Sequence, residues 1–284
     1  MNAGSKGRTL KLADLRKLAT QRIAGGHKSI SIVVSDIEGC LNLNERTYDH
    51  KALAWIRLAN ELARHDNAIP FITVCSGRQH AFVEAIVRMI GGRIPAIFES
   101  GCGLYFPGRD LYHEYEWHPL LRESRVLSES ARVRQVVADV CERTGARRVI
   151  GKEVLVSLHP APPMSVSDLH RVVNALLAER EVSASVSCSA SAVDVAPVGI
   201  DKAAGVEWLL EELRKELPVG MANVAGIGDS EGDIPFLRIV GWPAAPANAQ
   251  GEVRAIAKYA SRAVDGKGVV DIIERCIEMN LAQR

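Results

Sequence analysis

Three short apolar runs, separated by two helical patterns, dominate the first hundred residues. The runs are SISIVVSD (29–36), AIPFITVCS (68–76) and PAIFES (95–100). Between them lie DHKALAWIRLANELARHD (49–66) and RQHAFVEAIVRMIGG (78–92), each with apolar residues at helical spacing. The second closes on a Gly-Gly pair suited to a helix C-terminus. Near-continuous apolar strands that alternate with amphipathic helices specify a parallel sheet covered on both faces. The same texture returns after Gly199, in KAAGVEWLLEELRKEL (202–217), NVAGIGD (223–229), GDIPFLRIV (232–240) and two further helical segments.

From about Tyr105 the pattern is different. GLYFPGRDLYHEYEWHP is turn-rich and aromatic, and two helical stretches (129–145 and 165–180) flank serine-rich runs of alternating polarity, such as VSASVSCSASAVDVAP (182–197). Alternation of that kind marks a half-exposed antiparallel sheet with helices on one face. The expected fold is therefore α/β: a Rossmann-like parallel-sheet core, residues 30–104 and 191–284, with an inserted α+β cap domain at 105–190. Residues 1–29 form a polar, basic lead-in with Leu10, Leu12, Leu15, Leu18 and Ile23 at spacings that allow one amphipathic helix.

Composition narrows the function classes. The net charge of +1 provides no global field for nucleic acid or a membrane surface. The sequence has no apolar run of about 18 residues, and the basic lead-in lacks the apolar core of a secretory signal. The six cysteines are scattered, without a Cys-x-x-Cys pair, as expected of reduced thiols in a cytoplasmic protein. GGHKS (25–29) lacks the earlier glycine of a phosphate-binding loop and precedes a strand instead of following one.

In an open parallel sheet, functional groups gather at the carboxyl ends of the strands. The first strand ends in Asp36-Ile37-Glu38 and the second in Cys75-Ser76-Gly77-Arg78. The last core strand ends in Gly228-Asp229-Ser230, with Asp233 four residues beyond Asp229. Lys202 opens the helix after the insert. Each residue alone has an ordinary reading: a turn residue, a loop start, a helix cap or a solvated lysine. Together they place four acids, a hydroxyl and a lysine along one sheet edge. Clustered carboxylates repel unless compensated. Hard oxygen donors without a His or Cys cluster favour Mg²⁺.

In this order the motifs DIEGCL, VCSGR, GIDK and GIGDSEGD resemble the haloacid dehalogenase superfamily of Mg²⁺-dependent aspartyl phosphatases. The large insert is similar to the cap of the sugar-phosphatase (type IIB, Cof-like) branch. FESGCGLY (98–105), APANAQGEVRAIAKYAS (245–261) and DGKGVVDII (265–273) give the layout of the archaeal-type phosphoglycolate phosphatases. The resemblance spans about residues 30–280. It implies a hydrolase in which Asp36 is the nucleophile and forms an aspartyl-phosphate. Ser76, Gly77, Arg78 and Lys202 would contact the substrate, with Ser76 on a phosphoryl oxygen. Mg²⁺ would be held by Asp36, the Glu38 carbonyl and Asp229, with Asp233 behind them or paired with Lys202.

Glu38 departs from the family, which has aspartate as general acid and base at this position. One extra methylene moves the carboxyl group by about 1 Å, a displacement that can cost on the order of 100-fold in rate. Three outcomes stay open: a site adjusted to glutamate, a slow enzyme or one with an unusual substrate, and a catalytically weak binding or assembly protein on the same fold. Cys40 stands where the family often has threonine and is expected as a packed thiol. The expected partner is a small phosphorylated metabolite, phosphoglycolate or a sugar phosphate. A homodimer or partner contact through the N-terminal helix is a second expectation. Arg78, Glu99 and Ser100 are expected beside the cap–core cleft, Lys152 and Glu153 are candidates for binding a substrate carboxylate or hydroxyl, and His113 and His118 are expected on the cap surface.

Overall fold

The computed structural model describes residues 30–42, 47–110, 112–189 and 191–283. The expected N-terminal helix, and with it any partner contact it makes, lies outside the described residues.

The first strand, β1 (Ile32–Ser35), is the second from one edge of a five-stranded parallel sheet. The others are β2 (Phe71–Val74), β10 (Val224–Ile227), β11 (Trp242–Ala245) and β12 (Tyr259–Ala260), in the order β12-β11-β10-β1-β2. Both faces of β1 are covered, which is why its sequence runs apolar without alternation. Val33 packs into a layer with Leu53 and Ile56 of α1 (His50–Leu62), Val83 of α2 (His80–Met89) and Ile273 of the C-terminal helix Asp265–Ala282. Ile32 and Val34 pack into the opposite layer, with Val206 and Leu209 of the helix Lys202–Leu213.

The third apolar run behaves differently from the core strand it resembles. Although its side chains pack against β1 and β2, among the described residues β3 (Ala96–Phe98) joins the ladder of the parallel sheet only through an isolated bridge between Cys75 and Ile97. It pairs antiparallel with β4 (Gly103–Tyr105), which pairs with β5 (Tyr115–Trp117). The three-residue run is too short to extend the main ladder once Glu99 and Ser100 turn the chain back with positive φ. β11 was not legible as a strand because it contains Pro243, which β-strands tolerate only in special positions.

The serine-rich region forms a four-stranded antiparallel sheet, β6 (Arg147–Arg148), β7 (Val156–His159), β8 (Ala184–Cys188) and β9 (Val193–Pro197), in the order β6-β7-β9-β8. α3 (Ser124–Thr144) and α4 (Val166–Glu179) pack on it around Val137, Val173 and Leu176. α4 starts with a capping box between Ser165 and Asp168. The hairpin β8–β9 spans residue 190, the expected end of the insert, and β5 of the core-side sheet lies beyond residue 105, its expected start. The remaining helices are α5 (Lys202–Leu213), α6 (Ile234–Ile239), α7 (Gly251–Ile256) and α8 (Asp265–Ala282). Among the described residues no helix is long and apolar enough to cross a membrane.

Candidate active site

Asp36 follows β1 directly, and its N–H donates to the Ile227 carbonyl at 2.8 Å, so the ladder to β10 fixes it at the sheet edge. Ser76 and Asp229 follow the two strands that flank β1. Opposite them, Asp201 caps α5 by accepting from the Ala204 N–H at 2.9 Å, which makes Lys202 the first helical residue. Its buried Nζ lies 2.9 Å from Asp36 Oδ1 and donates to Asp233 Oδ1 at 2.6 Å. The other Asp233 oxygen accepts from the backbone N–H of Asp229 (2.9 Å) and Ser230 (3.1 Å). Asp233 thus ties the lysine to the loop that carries Asp229.

Lys202 offsets only part of the charge at this point. Burial, reinforced by Asp233, raises the Asp36 carboxyl well above its ordinary range, although Lys202 opposes the shift. Burial and then Asp233 push Asp229 up to about 7. Lys202 is held charged against the cost of its own burial by Asp233 and Asp36. The contact between Lys202 and Asp36 has ion-pair but not hydrogen-bond geometry, so Asp36 Oδ1, like Asp229 Oδ1, is a buried oxygen with no hydrogen-bond partner. Asp36, Asp229 and Asp233 can bring one oxygen each to within 4.8 Å of one another. Orphaned, mutually repelling hard oxygens fit a divalent cation such as Mg²⁺. Gly39 (φ +80°) closes the other side of this pocket, where a Cβ would fall inside the Asp229 carboxylate.

Glu38 sits in the turn after Asp36 with both oxygens engaged. Ser76 Oγ donates to Oε2 at 3.1 Å, and Arg78 Nε donates to Oε1. Ser76, expected on a phosphoryl oxygen, holds Glu38 here and accepts from the Arg78 N–H at 3.2 Å. Cys40 is a buried, packed thiol, raised by burial.

A cavity of about 250 Å³ opens from these residues to the antiparallel sheet. Its far wall carries Lys152, Ser157 and Asp194, together with Ser185 and Ser187 of β8. Ser100, Gly77 and Arg78 line it from the core side. Glu99 does not line it. Its buried carboxylate instead accepts the backbone N–H groups of Glu153 (2.9 Å), Val154 (2.9 Å) and Leu155 (2.8 Å), and burial raises its pKa against those bonds. Glu153 contributes this backbone group, and its side chain is exposed. His118, expected on the surface, is buried against Trp208, with ring centroids 5.1 Å apart. His113 is exposed and pairs with Asp110 at 2.9 Å. Sequence reasoning missed Asp194 and the docking role of Glu99, since neither belongs to a motif.

A family model described as haloacid dehalogenase-like hydrolase matches residues 166–273. The phosphoglycolate phosphatase of Methanothermobacter thermautotrophicus is 26% identical over 86% of this chain and 97% of its own length. That of Methanopyrus kandleri is 24% identical over 87% of this chain and 97% of its own. Among solved structures, protein 0175 of Thermoplasma acidophilum superposes with a TM-score of 0.68 at 19% identity, covering 88% of this chain and 99% of that one. The sucrose-phosphatase of Synechocystis sp. PCC6803, solved with sucrose and phosphate, gives 0.64 at 14% identity, covering 87% and 97%. These structures share the fold.

Proposed function

Because the chain belongs to the haloacid dehalogenase superfamily of phosphatases, we propose that it is a Mg²⁺-dependent phosphomonoesterase acting on a small phosphorylated metabolite through an aspartyl-phosphate. The observation that carries this reading is the meeting of Asp36, Lys202, Asp229 and Asp233 at adjoining strand ends. Residues 30–104 and 191–284 supply the core and 105–190 the bulk of the cap, with β9 completing the cap sheet.

An oxygen of Asp36 attacks phosphorus, and the bond from phosphorus to the leaving oxygen breaks. Glu38, as general acid, gives a proton to that oxygen and the alcohol departs. Glu38, now a carboxylate, takes a proton from water, whose oxygen attacks the aspartyl-phosphate, and inorganic phosphate leaves with Asp36 regenerated. Lys202 offsets the charge of Asp36 and the phosphoryl group throughout. A Mg²⁺ held by Asp36, Asp229 and the Glu38 carbonyl would add positive charge beside the phosphoryl oxygens. Asp233 orients Lys202 and the Asp229 loop. Ser76 and Arg78 hold Glu38, which supports turnover over the binding-protein alternative. The cap wall covers the cavity and shields the reacting groups from bulk solvent.

The archaeal relatives are named for phosphoglycolate, and phosphoglycolate and sugar phosphates are the substrate classes this reading admits. The test is release of inorganic phosphate from a panel of phosphorylated metabolites, with and without Mg²⁺. Mg²⁺-dependent release from at least one member is expected, and none from the entire panel overturns the reading.

A further inference from the structure

The cap wall of the cavity carries a buried ion pair whose chemistry selects among leaving groups. Lys152 Nζ lies 3.7 Å from Asp194 Oδ1, and the two side chains are only 7% and 14% exposed. Ser157 Oγ joins them, accepting from Lys152 and donating to the same Asp194 oxygen. The other oxygen, Oδ2, faces the core, 3.3 Å from where a Cβ on Gly77 would stand. Lys152 is also held from below, because the three residues after it are docked on Glu99. Ser185 and Ser187 extend the same wall with hydroxyls.

We propose that Lys152 and Asp194 form a subsite for an uncharged, hydroxyl-bearing leaving group, so that the protein prefers polyol monophosphates to phosphorylated carboxylic acids. The inference rests on the phosphatase reading and narrows it. A hydroxyl both donates and accepts, and matches a wall offering an ammonium donor beside a carboxylate acceptor. A carboxylate only accepts. It would find Lys152 already neutralised and Asp194 repelling it at short range in a poorly solvated cavity. The wider field acts in the same direction. Among the described residues, carboxylates outnumber cations in the lining by five to three. A divalent cation would cancel that excess, and the phosphate group then restores a negative charge to which a second anion would add.

The pair sn-glycerol 3-phosphate and 3-phosphoglycerate tests this, because they differ by a hydroxymethyl against a carboxylate. Calorimetric binding to the full chain carrying Asp36→Asn, with Mg²⁺, measures preference without turnover. Glycerol phosphate is expected to bind at least about tenfold more tightly. Asp194→Asn in the same background unmasks Lys152 and is expected to narrow that ratio by about tenfold. Equal or tighter binding of phosphoglycerate, an unchanged ratio in the Asp194 variant, or binding of neither compound overturns the proposal. The ratio with Asp194 intact is decisive by itself if the variant fails to fold. If the ratio holds but the wild-type chain releases no phosphate, the hydrolytic reading falls and the subsite stands. If wild type hydrolyses phosphoglycerate faster than glycerol phosphate, the subsite falls and the hydrolytic reading stands.

Discussion

Arg78 donates its Nε to Oε1 of Glu38, reaching across from the end of the neighbouring strand, and leaves Oε2 to the hydroxyl of Ser76. Both contacts depend on the reach of the longer side chain. Glu38→Asp, which restores the residue usual in the family, withdraws the carboxyl group by about 1 Å and breaks at least one of them. We expect kcat to fall roughly 10- to 100-fold, measured as phosphate release at saturating substrate. A rise in kcat would mean that Glu38 is misplaced in the wild type.

Asp36→Asn removes the proposed nucleophile while keeping its shape. Phosphate release should drop on the order of 10³-fold or more. The fold should survive, because an acid raised first by burial and then by Asp233 loses little when made neutral. Activity assays and thermal melts of the same preparation check both halves.

The unpartnered oxygens of Asp36 and Asp229 predict a stability response to Mg²⁺. Melting temperature should climb with Mg²⁺ concentration, by about 2.7 kcal/mol of stabilisation at 100 times the dissociation constant. Asp229→Ala should flatten the response while leaving the metal-free melt unchanged or raised, since it removes one of the repelling acids.

Glu99→Ala strands three backbone donors. We expect a loss of about 2–4 kcal/mol and faster hydrogen exchange at the amides of Glu153, Val154 and Leu155. KM should rise more than kcat falls, because the docked segment carries Lys152. Unaltered exchange at those amides would remove Glu99 from this role.

His118 predicts a pH effect. Burial lowers its pKa, with Glu211 opposing. The unfolded chain therefore takes up this proton first, near the ordinary value of about 6.5. The neutral ring's contribution to stability is present above that pH and is lost as pH falls through it. Thermal melts between about pH 7.5 and 5.5 should decline less steeply for His118→Phe than for wild type.

Much of the core was legible because its signals are local. An apolar strand buried on both faces, a polar residue at its end and a following helix repeat at Asp36, Ser76 and Asp229, and parallel pairing places those ends side by side. The remaining features depend on distance in the chain. Glu99 meets its partners 54 to 56 residues away, and a carboxylate that binds main-chain amides leaves no complementary residue type to search for. Asp194 sits at an ordinary position in an alternating strand, and only the pairing of β9 with β7 brings it to Ser157. β3 has the composition of a core strand, and its departure from the sheet is set by backbone angles at Glu99 and Ser100 that neither residue type favours.

The Glu99 junction has an evolutionary consequence. The core grips the cap by its peptide groups, which every non-proline residue at 153–155 supplies alike. Cavity-facing side chains on the strands that follow, such as Ser185 and Ser187 of β8, are free to drift under selection for new substrates while the handshake between the two halves persists. Diversification of the cap is thus uncoupled from its attachment, and a single acid on the core side is the part that drift cannot spare.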